Sequence, residues 1–413
     1  MIFDIRDYGA VGDGRTLNTA AIQAAIDACT EAGGGRVLVA SGMYMTGTVV
    51  LKDGVELHLA VDGTLLGSPR CEDYPETEKK HVNVPLLPRG RGAALLFAEE
   101  ASGISLTGNG KIDAHGDAFV EPLPNDNPHA WMPYRRIDAP TPPRVVFFTG
   151  CENVIVTDIT LVNPPAGWSF WIHDCDHVRF DRIVIDARLD YPNNDGIHIN
   201  CSRNVTVSNC QISCGDDCLV VRANNASLPE NKVCEKVAVT NCTLTSRASG
   251  IRIGWQNDGI IRNCTFSNLV MTDTNLGISL HLPNRRLPGQ ERASDEGREH
   301  TLIENLSFDN IVMDRGIREP VKLMVEDSEY IHVEAIRYIT FRGIRYRGLQ
   351  MPQVIGRPDA PVHHISFTDC IFEQRDADTW PDAPAVPTRI KPHLFEIRCA
   401  QDVLLQNTIV SAV

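Results

Sequence analysis

Short runs of β-branched and aliphatic residues alternate with polar positions along most of this chain, with the two-residue period of pleated strands. Asn153-Val154-Ile155-Val156, His177-Val178-Arg179-Phe180, Asn204-Val205-Thr206-Val207, Lys236-Val237-Ala238-Val239, Asp258-Gly259-Ile260-Ile261 and Asp402-Val403-Leu404-Leu405 share one form: a polar turn residue, then a strand. The theme returns from about residue 95 onward at intervals of roughly 20 to 40 residues with no long helix between, which is the mark of a solenoid. The pattern predicts an all-β, right-handed parallel β-helix. Asn209-Cys210, Asn241-Cys242 and Asn263-Cys264, with Asn310-Ile311 and Asp369-Cys370 as looser copies, predict an amide ladder at one corner and inward-pointing sulfurs.

One segment has helical period instead. Ile22, Ala25, Ile26 and Cys29 fall on one face, Asn18 or Thr19 stands where an N-cap belongs, and Gly33-Gly34-Gly35 ends the run. Strand patterns Arg36–Val39 and Val55–Leu59 follow at once, so this short helix is expected to cap the first coil of the stack. No linker divides the chain, and a single β-helix domain over residues 1–413 is expected, with the cap and first coils in about 1–60. Residues 71–143 and 282–300 lose the periodicity and read as long loops beside a groove.

Composition refines this picture. Hydrophobic residues make up 43% of the chain but aromatic ones only 6%, so an aliphatic core is expected. The net charge of −14, without a Lys/Arg cluster, speaks against nucleic acid as a partner. No run of about 18 apolar residues suggests a membrane span. Met1 leads straight into Ile2-Phe3-Asp4 with no basic segment before an apolar run, which points to a cytoplasmic protein; the alternative is a secreted one whose leader was removed. Thirteen cysteines, an odd count falling at similar places in successive repeats, read as reduced, buried small hydrophobes.

Two segments depart from the repeat: Asn193-Asn194-Asp195-Gly196-Ile197-His198 and Cys214-Gly215-Asp216-Asp217-Cys218. Asp195 and Asp216 are 21 residues apart, close to one coil, which places them on adjacent rungs about 4.8 Å apart. Clustered carboxylates raise one another's pKa, and glycoside hydrolysis uses such a set: one acid protonates the leaving oxygen while another carboxylate activates water. Strand-turn capping or a Ca²⁺ cage are the other chemistries open to three aspartates.

With these residues in view, the chain resembles glycoside hydrolase family 28, the polygalacturonase family. The opening Asp7-Tyr8-Gly9-Ala10-Val11-Gly12-Asp13-Gly14, followed by Asn18-Thr19-Ala20-Ala21-Ile22-Gln23, resembles the N-terminal signature shared by that family and other pectin-active β-helices. Asn193-Asn194-Asp195 resembles its Asn-Thr-Asp motif and Gly215-Asp216-Asp217 its paired aspartates. Asn163-Pro164-Pro165 with Trp168 resembles a further family stretch. The resemblance implies an inverting glycosidase that needs no cofactor or metal, with Asp216 as general acid and Asp195 and Asp217 holding the attacking water. A carbohydrate is the implied partner.

Departures from the family pattern shape the remaining expectations. Ser249 stands where the family has a histidine, and Ser279 and His281 where it has the Arg and Lys that grip a galacturonate carboxylate. Losing those cations points away from galacturonate at the cleavage site and toward another pectic residue, while exo-action on short oligosaccharides is the expectation from the lack of a visible signal peptide. Arg222 lies where many members place a Lys; it joins Arg252, His198, His281 and Trp255 as the substrate-binding residues, with Trp131, Trp168 and Trp171 as further rings for sugar stacking. Two other classes fit the scaffold: a Ca²⁺-dependent polysaccharide lyase, which has no use for three aspartates, and a non-catalytic carbohydrate-binding β-helix.

Overall fold

The computed structural model describes residues 1–413 except 77–78, 124–131, 285–299, 329, 378–379, 381–393 and 413. The fold is the expected right-handed parallel β-helix, all-β apart from one α-helix and short 3-10 turns among the described residues. It is described as two compact units: Met1–His198 with Ser202–Asp216 and Ala226–Pro229, and Ile199–Cys201 with Asp217–Asn225 and Glu230–Val413.

In the first unit each coil contributes strands to three parallel rows. One row stacks Ile2–Asp4, Gly35–Val39, Val55–Leu59, Ser105–Thr107, Glu152–Thr157, Asp176–Asp181 and Arg203–Ser208 in register. A second runs from Gly42–Thr46 through Gly63–Gly67, Lys111–Asp113, Thr160–Val162 and Val184–Asp186 to Gln211–Cys214. The third stacks Val49–Val50, Ala94–Glu99, Arg144–Thr149 and Trp168–His173. Asp195 and Gly196 continue this third row, since the amides of Ser169 and Phe170 donate to their carbonyls at 2.8 and 3.0 Å.

The helix Thr19–Glu31 packs its Ile22, Ala25, Ile26 and Cys29 face, fully buried, against the first coil. Asn18 occupies the cap position but its side chain does not cap; its amide is spent on the Val11 N–H and carbonyl and the Thr16 carbonyl, closing the turn before the helix. This helix has 13 residues, and no helix among the described residues is long and apolar enough to cross a membrane.

The second unit repeats the three rows. Its first joins Cys234–Thr240, Ile260–Thr272, Thr301–Gly316, Val333–Arg342, Val362–Thr368 and Ala400–Gln406. Its third joins Leu219–Arg222, Ser249–Ile253, Leu276–Leu282, Val321–Val325, Gln353–Ile355 and Glu396–Arg398. The few aromatics are concentrated rather than absent. Phe266, Phe308, Phe341 and Phe367 stack face to face with centroids 4.9, 5.1 and 4.7 Å apart, near the strand spacing itself. The aliphatic core expected from composition thus has an aromatic spine in this unit.

Corners are turned by non-glycine residues at positive φ: Lys236, Asn263 and Asn305 at one corner, Asn241, Asn268 and Asn310 at another. The left-handed region costs most L-residues roughly 1–2 kcal/mol, and Asn tolerates it best. The amide ladder exists, but at two corners: Asn310 donates to Asn268 at 2.8 Å and Asn305 to Asn263 at 2.7 Å. Asn263 therefore does not continue from Asn241, as the shared Asn-Cys dipeptide had suggested; Asn268 does. The inward direction of the sulfurs holds, and of the thirteen cysteines all but Cys71 and Cys399 are buried. In the 71–143 stretch, expected to be loop, the structure has 3-10 turns and antiparallel pairing of Val120–Pro122 with Tyr134–Arg136.

Replacing Asn268 separates the two contributions. Asn268→Gly loses only the ladder amide, whereas Asn268→Ala loses the amide and must also hold φ near +55° with a Cβ. Urea unfolding is expected to show both variants destabilised, the alanine by roughly 1 kcal/mol more; equal midpoints would contradict the corner account.

Candidate active site

In the first unit, Asp195 and Asp216 come together as their spacing suggested, each offering a carboxylate oxygen within 4.8 Å of the other. Their placement depends on the neighbouring asparagines. Asn193, at φ 53°, donates to Asp216 Oδ2 at 3.1 Å. Asn194 is buried; its Oδ1 accepts from the Gly215 amide at 2.7 Å and its Nδ2 donates to the Arg188 carbonyl at 2.6 Å. The Asn-Asn pair thus ties one acidic segment to the next. Gly215 must be glycine, because a Cβ there would lie 2.3 Å from the Tyr191 carbonyl oxygen and 2.8 Å from Asn194 Oδ1.

Asp195 is held from its other side. His198 Nε2 lies 2.9 Å from Asp195 Oδ2, and the imidazole stacks on Trp168 with centroids 3.9 Å apart at 13°. His198 is buried and faces Asp195; the expected substrate ligand is here the group that orients a carboxylate. Trp168 in turn meets Trp171 edge-on, and Arg144 lies over both rings, 4.1 Å from the Trp171 centroid. Trp171 is thereby committed to packing, while Trp168 stays half-buried.

Arg144 is a fully buried cation that no sequence motif singles out. Its guanidinium donates to the carbonyls of Pro88 (2.9 Å) and Arg91. Those carbonyls flank Arg89, which sits at φ 69° and donates to the Ala166 carbonyl at 2.7 Å. Burial, then Arg136, pulls the Arg89 guanidinium down to about 9, while the charges of Asp195 and Asp216 act in the opposite direction. Arg89 is consequently a cation close enough to feel both aspartates, delivered by a loop with no readable period.

In the second unit, Asp217, the residue after Asp216, is buried and accepts from Arg252 Nε at 2.5 Å. Arg252 also reaches Ser249 Oγ at 3.5 Å and lies 4.8 Å from the Trp255 centroid. Serine at 249 thus works with Arg252 rather than in place of an imidazole. Arg222 is engaged elsewhere: both oxygens of buried Asp258 accept from it, at 2.5 and 2.7 Å, so it is a strut for the Asp258 turn rather than an open sugar ligand. Trp255 is flanked by Arg252 and, at 5.7 Å, Arg222. Trp131 lies outside the described residues.

His281 is bonded to Glu326 at 2.6 Å. Burial, and next the Lys322 charge, push its imidazole down to about 4, so at neutral pH it is no substitute for a lost cation. Lys322 was not foreseen. It pairs in register with Ser279 on the next strand, and it is nine-tenths buried.

The chain matches Glycosyl hydrolases family 28 over residues 89–356, and a second family, Rhamnogalacturonase A/epimerase, pectate lyase-like, over residues 2–73. It belongs to family 28. The match extends past residue 281 and takes in Lys322. A probable polygalacturonase of Vitis vinifera is 26% identical over 287 residues, covering 66% of this chain and 55% of that protein. An exo-poly-alpha-D-galacturonosidase of Dickeya chrysanthemi is 30% identical over 253 residues, 52% of this chain and 41% of its own length. The chain therefore spans about half the length of these two relatives. Among solved structures, a hyperthermoactive exopolygalacturonase from Thermotoga maritima superposes with a TM-score of 0.70 at 21% identity, covering 91% of this chain and 87% of that one. It shares the β-helix fold.

The depressed His281 has a measurable consequence. Below the ordinary value of 6.5 and down to about 4, the unfolded chain binds a proton here that the folded protein does not, so stability rises with pH across that window. Melting temperature should fall between pH 7 and 4.5, and His281→Gln should flatten that fall by several degrees. An unchanged slope would show that His281 titrates normally.

Proposed function

We propose that this protein is a glycosidase that hydrolyses a pectin-type saccharide, with Asp216 as the general acid and Asp195 and Asp217 as the carboxylates that hold and activate water. The observation that carries the reading is the approach of the Asp195 and Asp216 oxygens within 4.8 Å, on a scaffold of asparagine and glycine contacts with no other evident purpose. Membership of family 28 supports it.

The supporting chemistry is local. Two carboxylates this close favour one retained proton, which is what a general acid at neutral pH requires. Asp216 is the half-exposed member, able to reach a leaving oxygen, whereas Asp195 is buried against His198 and Asp217 against Arg252. The histidine and arginine contacts fix the orientation of the two carboxylates proposed to hold water.

The relatives act, by their names, on polygalacturonan, and an exo mode fits two of those cited. We carry both over as part of the proposal. A lyase would release unsaturated, ultraviolet-absorbing products and depend on Ca²⁺; a binding module would retain affinity without products.

Reducing-end assay and mass spectrometry on polygalacturonate and rhamnogalacturonan oligosaccharides test the assignment. Wild type should release saturated sugar, and Asp216→Asn should lose about 10²-fold or more of that rate with an unchanged melting temperature. A variant that keeps its rate removes Asp216 from the acid role.

A further inference from the structure

The second unit's first row turns one corner at a single residue per rung, and each occupant lies at positive φ. Lys236, Asn263, Asn305, Tyr338, His364 and Asp402 follow one another in register there. The preceding residue of each rung forms a second column: Glu235, Arg262, Glu304, Arg337, His363 and Gln401. Its charges pair off, Arg262 with Glu235 at 2.7 Å and Arg337 with Glu304 at 2.9 Å. His363 is left between an arginine that already has its carboxylate and a glutamine.

The corner decides where the two imidazoles go. Adjacent residues of a regular strand point to opposite faces, but the left-handed turn at His364 interrupts the alternation and both rings stay out of the core, His363 half-buried and His364 exposed. His363 Nδ1 lies 2.8 Å from His364 Nδ1, with ring centroids 5.1 Å apart at 68°. On the far side of its ring, His364 Nε2 faces Asp402 Oδ2 of the next rung at 3.6 Å. A carboxylate at the outer nitrogen is the arrangement that keeps the proton on Nε2 and leaves the Nδ1 lone pair for a metal. Two imidazole nitrogens bound to one ion at about 2.0 Å and at right angles stand about 2.8 Å apart, whereas a tetrahedral angle would part them to about 3.3 Å. The observed separation is that of neighbouring ligands in a square-planar site.

We propose that His363 and His364 form a binding site for a divalent transition-metal ion of square-planar preference, Cu²⁺ first and Ni²⁺ after it, with Asp402 orienting His364 from the next rung. Imidazole nitrogen suits both ions. Arg337 opposes the incoming charge little, because Glu304 already pairs it. The two histidines belong to the Val362–Thr368 strand and Asp402 to Ala400–Gln406, so a bound ion tightens the contact between these two rungs. The site uses none of the three aspartates, and the inference does not rest on the proposed hydrolysis.

Copper titration of the whole protein tests this. CuCl₂ is added to wild type, to the double variant His363→Gln, His364→Asn and to Asp402→Asn, with binding read by isothermal titration calorimetry and the coordination by EPR. Wild type should take up copper with the hyperfine pattern of two imidazole nitrogens, bind it more tightly than Ni²⁺ or Zn²⁺, and melt at a higher temperature in its presence. The double variant should lose about tenfold or more in copper affinity together with the two-nitrogen signal, and Asp402→Asn should fall between the two. Asparagine already holds this corner at Asn263 and Asn305, so without copper the double variant should melt as wild type does. A double variant that keeps the wild-type affinity and spectrum, or wild-type copper without the two-nitrogen signal, overturns the proposal.

Discussion

Everything in this protein depends on in-register stacking of rungs. A parallel coil hydrogen-bonds only to the coils on either side, so a residue's position within its coil fixes which side chains it will meet, however far away they are in sequence. Columns are the result. The Phe266–Phe367 spine and the asparagine ladders at the two corners are the same device serving packing and backbone strain. The left-handed corners maintain it, because a coil that turned elsewhere would carry every later side chain off its column.

That constraint also explains what could be read from the sequence. Strand alternation and turn residues betray the fold because they are local. Asp195 and Asp216 were legible because their coil carries no insertion, and Gly215 marks the spot where only backbone fits. Lys322 was not legible. The coil step is not constant: ladder and ion-pair bonds join residues 27, 42 and 33 apart, and the longest step contains residues 282–300, most of which lie outside the described residues. Without the register, Lys322 is a single lysine in a strand, and Ser279 and His281 read as a loss. Asn263 was misplaced for the same reason, since a shared dipeptide does not tell one corner from another. Arg89 and Arg144 come from a stretch whose conformation depends on tertiary contacts to Trp168 and Trp171, and no short-range pattern announces them.

The site's charges are arranged so that each carboxylate has its own partner. Asp195 has His198, stacked on Trp168; Asp217 has Arg252; Asp216 accepts from the neutral amide of Asn193, with Arg89 near enough to feel its charge. His198 bonds to Asp195 and stacks on Trp168, and Arg144 lies over that ring.

Carboxylate separation bears on the stereochemistry. Inverting pairs commonly stand roughly 6.5–9.5 Å apart and retaining pairs about 5–5.5 Å; the nearest oxygens of Asp195 and Asp216 are within 4.8 Å. Two carboxylates alone at that distance would suit a covalent intermediate. The third, Asp217, fixed by Arg252, is the reason to assign direct attack by a held water. Proton NMR of the first sugar released from an α-linked galacturonan oligosaccharide decides between them, since the anomers are resolved before they equilibrate. The β-anomer appearing first is the result this account predicts; the α-anomer appearing first would contradict it.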